Sequence, residues 1–581
     1  MATDNITIIT KQDPLTPIEN RVGLLLESAP DASLPFASAV ELRELTGPFE
    51  KAKTRAWQLT QKLIDGEPAF EGVEQLHVME EIIIRALETI FHAIHLDQWL
   101  SRHEISECRF RAPSPYIGRL RSIQAVSGSN YRIVAPDATR ASVSGKVQRR
   151  VQNSGAKGLR ESITLGMRRF FPNGARYLAS MGVTRSQVRG GCWFYTTAYT
   201  FTNIGLAYEP HLPEPLHYLA DSSEPGTRPL EERKRPYSDL YAWASWSDLP
   251  GQPCLRRLRD DLVSHIKSAS LGGDEEVARA ALLRTEAFQT YLNRILPLTC
   301  FHTRISRNFI EEVRPELIIV GNAAFEGPLL QLARARKIPT VLLQHGILGD
   351  YYQLMDQPAD TLLVRGEFWR EFVAPKMRER TRVLNVPDGL TREQTQKSAG
   401  AKILFLTSVD AALIHTHESD LRDILTRLLK VSAATNRALI IRVHPMEPVG
   451  YYKNIVEEIS SRSGLPPNVE YSQGPGLNEN LAQAAVAVTY SSTVFLDCLR
   501  LGIPIISFDW HDFAYKELVS RHKVFHFAKS LEELEWLVSE AVAGRISVST
   551  DYEQFLAPTT KDELSEYFRS VSSGAASAKR V

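Results

Sequence analysis

Ala438-Leu-Ile-Ile-Arg442-Val443 runs into His444-Pro445-Met446-Glu447, and Ala485-Val-Ala-Val-Thr-Tyr490 runs into Ser491-Ser492-Thr493. Continuous apolar runs of this kind read as strands buried on both faces, as in a parallel sheet. Open α/β sheets bind ligands outside the carboxyl ends of their strands. Two polar clusters at two such ends therefore indicate an α/β fold and a candidate binding site together.

Outward from these strands the same pattern repeats. Towards the N-terminus, Leu317-Ile-Ile-Val320 reads as a buried strand, Ala323 to Ala335 as a helix, and Pro339-Thr-Val-Leu-Leu343 as a strand ending in Gln344-His345-Gly346. Thr361–Arg365 and Val383–Pro387 complete this half. The polar stretch 388–401 reads as an interdomain linker. A second series then opens with Ile403-Leu-Phe-Leu406, ending at Thr407-Ser408. It continues through a helix at Asp420–Ala433, the two opening strands, the strand Ile503–Ser507 and helices at Ser530–Ala543 and Thr560–Ser570. The expected division is an acceptor-side Rossmann-like domain over 1–387, a linker over 388–401, a donor-binding Rossmann-like domain over 402–570 and a disordered tail over 571–581.

The first three hundred residues are less legible. Prolines 14, 17, 30 and 35 break residues 1–50 into mixed structure. From Pro48 to Trp99 the periodicity is helical, with His92 and His95 on the apolar stripe as packing residues. Residues 138–190 are rich in Arg, Gly and Ser and read as a solvated surface, a lipid-phosphate patch being the alternative. Gly190-Gly191 precedes an aromatic strand candidate from Cys192, and the two glycines permit close backbone approach. The proline-dense stretch 209–250 reads as loop, and Glu275–Val313 as one or two long helices.

The 581 residues exceed what one core supports. Lys plus Arg and Asp plus Glu both number 68. Global charge thus gives no argument for nucleic-acid binding, and none is expected. Five scattered cysteines form neither a disulfide framework nor a metal motif. The N-terminus lacks the pattern of a signal peptide, and no window is apolar enough to span a bilayer. The expectation is a cytoplasmic protein, with the inner face of the cytoplasmic membrane left open by the Arg-rich patches.

Three residue groups could carry chemistry. Ser491-Ser492-Thr493, with Asp497 one turn on, place hydroxyls where a helix begins, a setting that suits either plain capping or phosphate binding. Absence of GxxxxGK[ST] excludes a P-loop. His444, turned out of its strand by Pro445, and Arg442 suit a leaving phosphate oxygen, a buried structural histidine being the other reading. His345, at the end of a first-half strand, is placed to accept a proton from an attacking hydroxyl.

Together, Gln344-His345-Gly346, Arg442-x-His444-Pro445-x-Glu447 and Ser491-Ser492 followed by Asp497 and Gly502-x-Pro504 resemble the GT-B transferases of bacterial surface polymers. That group includes CDP-glycerol glycerophosphotransferases, sialyl- and polysialyltransferases and capsular Kdo transferases. The resemblance covers 317–508 and implies two Rossmann-like domains facing across a cleft, with a partly helical N-terminal extension. It implies that His444, Ser491 and Ser492 hold the phosphate of a CMP- or CDP-linked donor, that Glu447 contacts the nucleotide, and that His345 is the general base. The acidic-acidic-Gly motif of the sialyltransferases has no copy here: Glu326-Gly327 lacks its first acid and Asp388-Gly389 falls in the linker. No metal and no cofactor are implied. The partners expected are a nucleotide-sugar donor and a glycan or glycoconjugate acceptor. Two rival readings are a UDP-sugar hexosyltransferase or epimerase and an inactive scaffold of the same fold.

Overall fold

The structure is a computed structural model. It describes residues 5–9, 18–25, 36–39, 43–102, 107–110, 115–134, 188–197, 199–220, 227–321, 323–344, 359–364, 367–373, 381–383, 400–407, 418–444, 447–465, 467–474, 476–490, 492, 494–509, 516–548 and 561–572.

Two compact units divide the chain. The first holds Met1–Leu343, Gln357–Leu362 and Ser565–Val581; the second holds Gln344–Asp356 and Leu363–Leu564. The expected boundary at 388–401 lies almost wholly outside the described residues, with only Gly400 and Ala401 inside them. A Cβ at Gly400 would collide with the Ala484 carbonyl oxygen, so the chain enters the second unit's sheet at a point only glycine fits.

Three large sheets carry the fold. The first comprises β1 (Asn5–Ile9), β2 (Ile18–Leu25), β3 (Phe36–Ala39), β6 (Glu107–Phe110) and β7 (Arg132–Val134), in the order β3-β2-β1-β6-β7. Between them, β4 (Ala69–Phe70) and β5 (Val73–Glu74) form a small antiparallel hairpin. The second sheet comprises β8 (Cys192–Thr196), β9 (Leu216–Ala220), β10 (Tyr237–Asp239), β11 (Leu317–Val320), β12 (Thr340–Leu343), β13 (Thr361–Val364) and β14 (Thr381–Val383). Its order is β10-β9-β8-β11-β12-β13-β14. The third comprises β15 (Lys402–Leu406), β16 (Leu439–Arg442), β17 (Val469–Ser472), β18 (Ala484–Thr489), β19 (Ile505–Phe508) and β20 (His526–Ala528), ordered β17-β16-β15-β18-β19-β20.

Each sheet starts in its middle, runs outward one way through two strands, then returns to the other side of its first strand. All described pairings in the three sheets are parallel. This is the doubly wound arrangement, whose switch point lies between the first strand and the fourth. The fold class is therefore α/β with Rossmann-like sheets, as expected. The N-terminal extension is partly helical, as expected, and also contains a parallel sheet of its own, in which β1, β2 and β3 fall where the prolines suggested only mixed structure. Prolines between short strands do not break a sheet that needs only four to eight paired residues per strand. Likewise β9 and β10 lie inside the proline-dense stretch read as loop.

The helical part of that extension is α1 (Arg43–Ile64) and α2 (Glu80–Arg102). The stretch expected as one or two long helices contains α3 (Asp274–Arg284) and α4 (Leu296–Val313), separated by a short helix and a π-turn. Arg55 of α1 pairs with Asp274 at 2.9 Å and Lys62 with Glu275 at 2.8 Å. Glu71, in the hairpin, pairs with both Arg304 and Arg307 of α4 at 2.8 Å. These pairs fix register, and the buried Leu59, Leu63, Ile84, Leu87 and Phe91 supply the packing energy.

In the second unit, α5 (Glu418–Thr435), α6 (Val449–Ser463) and α9 (Leu531–Val542) cover one face of the third sheet. Val486 and Val488 of β18, with Tyr490 just after it, join Ile403, Phe405, Ile441 and Val443 in that core. The remaining helices used below are α7 (Leu477–Gln483), α8 (Phe495–Arg500) and α10 (Lys561–Ser572). Helix α10 runs past the expected end of the domain at 570 and takes in the first two residues of the expected tail. The rest of that tail lies outside the described residues. From Ser565 on, α10 belongs to the first unit, where buried Phe568 meets the Tyr208 ring at 6.5 Å.

Candidate functional site

The switch point of the third sheet lies between β15 and β18. Thr407 follows β15, His444 follows β16 by one residue, and Ser492 follows β18. Parallel pairing brings all these strand ends to one edge, since Leu406 is in register with both Arg442 and Thr489. Local sequence made the strands; only the topology makes their ends neighbours.

His444 is held by its backbone. Its N–H donates to the Thr407 Oγ1 at 2.8 Å, and its carbonyl accepts from Glu447 N–H at 2.9 Å and from Gln473 Nε2 at 2.8 Å. Gln473 Nε2 also donates to the Glu447 carbonyl at 2.7 Å. Glu447 turns its carboxylate inwards: it is buried, accepting from the Thr407 hydroxyl through one oxygen and from the Tyr452 hydroxyl, at 2.9 Å, through the other. Burial pushes this carboxyl above its ordinary value, while the bonds from Thr407, Tyr452 and the His444 backbone pull it back down. Burial and the neighbouring carboxylate push the Tyr452 phenol up.

Arg442 is fastened as well. Its Nη1 donates to Ser472 Oγ at 2.7 Å and to Asn480 Oδ1 at 3.4 Å, and its Nη2 donates to the Gly474 carbonyl. Burial lowers its pKa, opposed by Glu479, from a value so high that it stays a cation. The guanidinium thus braces the loop after β17 and adds positive charge to the same edge.

The hydroxyl cluster differs from the helix-start expectation. Helix α8 begins at Phe495 and has six residues; its N-cap position is Val494, which makes no side-chain cap. Ser492 Oγ accepts from the Val494 N–H at 3.4 Å, a long bond. A helix this short adds little dipole. Asp497 is half-buried inside α8.

Of the residues expected at the site, Arg442, His444 and Glu447 form one braced group at the end of β16, and Ser492 and Asp497 follow β18, on the other side of β15. Ser491, Thr493 and His345 lie outside the described residues. Gln344, beside His345, is buried at the end of β12, and its N–H donates to the Leu363 carbonyl at 2.9 Å. Sequence reading missed Thr407, Tyr452 and Gln473 as parts of the group. The one available signal was position, because Thr407 ends a predicted strand and Gln473 precedes the Gly474-Pro475-Gly476 turn.

Among the described residues no group of three or more His, Cys, Asp or Glu side chains gathers as a metal site. No helix among them is long and apolar enough to cross a membrane.

No protein-family model and no curated protein matches the sequence. Solved structures similar in part include a UDP-GlcNAc 2-epimerase of Methanocaldococcus jannaschii in complex with UDP-GlcNAc and UDP. The two are 13% identical over 66% of this chain and 100% of that one, with a TM-score of 0.39. The MurG of Acinetobacter baumannii is 12% identical over 65% and 99% of the two chains, with a TM-score of 0.35. Anabaena Alr3699/HepE, in complex with UDP and glucose, is 11% identical over 67% and 99%, with a TM-score of 0.35. At these scores the likeness is partial, and the fold class rests on the strand orders above.

Proposed function

We propose that this chain is a GT-B-type transferase. In this reading it moves a sugar, nonulosonic acid or polyol phosphate from a CMP- or CDP-activated donor to a surface glycan or glycoconjugate, with inversion and without a metal or cofactor. The observation that carries the reading is that His444 and the Arg442 cation, at the end of β16, and Ser492, after β18, lie at the same end of a doubly wound sheet, on either side of β15. Such an edge is where phosphate-bearing ligands of this fold lie.

In the proposed reaction the acceptor hydroxyl oxygen bonds to the donor's reacting carbon, or to phosphorus for a polyol phosphate. The bond to the nucleotide's phosphate oxygen breaks, and that phosphate leaves with the electron pair. His345 takes the acceptor's proton. His444 donates a hydrogen bond to the departing oxygen, Ser491 and Ser492 hold the other phosphate oxygens, and Arg442 offsets the charge.

Thermal shift of the full chain with CMP, CDP, UDP and GDP is the first test. Stabilisation by a cytidine nucleotide is expected. Stabilisation by UDP alone would replace the donor class with a UDP-sugar, and no response to any of the four would favour a scaffold. His444→Ala is expected to reduce the nucleotide-induced shift while leaving the melting temperature of the free protein unchanged.

A further inference from the structure

We propose that Thr407 is a positioning residue, which sets the orientation of His444 through that residue's backbone. The proposal rests on the reading that His444 meets the ligand's phosphate.

The argument begins with the single proton on the Thr407 hydroxyl. That proton goes to a carboxyl oxygen of Glu447. The Thr407 oxygen must then turn a lone pair elsewhere, and the His444 N–H occupies it at 2.8 Å. The chain of donation therefore has one direction, from His444 N–H to Thr407 to Glu447. Tyr452 keeps the carboxylate in place from its other side at 2.9 Å.

On its carbonyl side His444 is held by Gln473 and by the Glu447 N–H. Both backbone groups of this one residue are thus occupied, and neither by a neighbouring strand. The sheet ladder ends just before it: the Thr407 N–H donates to the Arg442 carbonyl at 3.1 Å, and the Val443 N–H to the Ser472 carbonyl at 2.8 Å. Where the ladder stops, side chains take over its task. A buried carboxylate is a costly way to close a turn, since a backbone or water acceptor would serve for stability alone. What the carboxylate adds is direction, because it fixes which way the Thr407 hydroxyl points. The imidazole consequently leaves a peptide that cannot tilt, a form of preorganisation that counts at a phosphate site.

The test is calorimetric titration of the full-length protein with CDP, CMP and UDP in turn. Thr407→Val keeps the shape and removes the hydroxyl. It is expected to weaken the bound nucleotide about tenfold, the factor that one lost buried hydrogen bond corresponds to. Thr407→Ser restores the hydroxyl and is expected to bind within about twofold of the parent. In the double variant with His444→Ala, loss of Thr407 is expected to add nothing to the loss from His444→Ala alone.

Additive losses in the double variant would mark a merely structural threonine and overturn the proposal. Parent-like affinity in Thr407→Val beside weakened His444→Ala would overturn it too, leaving the site reading intact. Parent-like binding in both variants, or no binding of any nucleotide by the parent, would remove the site reading itself. Should Thr407→Val fail to fold, Thr407→Ala removes the same hydroxyl with a smaller side chain. It is expected to weaken the nucleotide in the same sense, and parent-like affinity there would overturn the proposal.

Discussion

Gly191 shows how one residue constrains a whole sheet. Its φ is +72°, and a Cβ there would lie 2.9 Å from the Pro215 carbonyl oxygen, which itself accepts the Cys192 N–H at 3.0 Å. That oxygen belongs to backbone and cannot swing away. Gly191→Ala is expected to cost about 2 kcal/mol, from left-handed strain and the displaced β9 together. A fall in melting temperature with unchanged nucleotide affinity would check it. The double glycine was legible as a place of close approach; its partner was not, since Pro215 leads into β9, a strand hidden among prolines. His444 is the same lesson at the site. Its chemistry could be read from its place beside Pro445, whereas the two side chains that hold it, Thr407 and Gln473, come from just after β15 and just after β17.

At the scale of elements, α1, α2 and α3 meet around a polar knot. Arg55 Nη1 lies 3.1 Å from His95 Nε2, and Asp274 takes bonds from Arg55 at 2.9 Å and from Gln98 at 2.7 Å. The His95 pKa is lowered by burial first and by the Arg55 cation next, with Asp274 opposing. A histidine depressed in the folded state contributes stability that is present above its unfolded pKa, about 6.5, and is lost as pH falls through the folded value. The first unit is therefore expected to lose stability on the acid side of neutrality. Melting of His95→Gln at pH 7.5 and pH 5.5 is the check, and the variant's acid-side loss should be smaller than the parent's. The helical stripe carrying His95 was plain in its periodicity. Its neighbour Asp274 lies far along the chain, which no local pattern reports.

For the molecule as a whole, the chain does not divide once. Helix α10 lies at the C-terminal end of the described chain yet belongs, from Ser565 on, to the first unit. Its buried Leu564, Phe568 and Val571 make an apolar stripe, and Phe568 packs edge-on against Tyr208. Phe568→Ala is expected to cost about 3 kcal/mol through the cavity it leaves. Hydrogen exchange should report where that cost falls: amides of Tyr199–Tyr208 should exchange faster, and those of β15 to β19 should not. Equal acceleration in both units would mean that they unfold together. The sequence marked 402–570 as one domain because a stripe declares that a helix must pack, without naming the surface.

What the sequence determined alone was everything local in cause. Runs of buried apolar residues set β11, β12 and β13 of the second sheet and β15, β16, β18 and β19 of the third, three- and four-residue periodicity set the helices, and polar clusters at strand ends marked a site. Tertiary structure decided what depends on order in space. It joined three strands among prolines to two others in one parallel sheet, placed β15 between β16 and β18, turned Glu447 inwards and gave the last helix, from Ser565 on, to the first unit. Strand order and buried partners are set by contacts between residues distant in the chain, and the energy of those contacts is written in no single stretch of it.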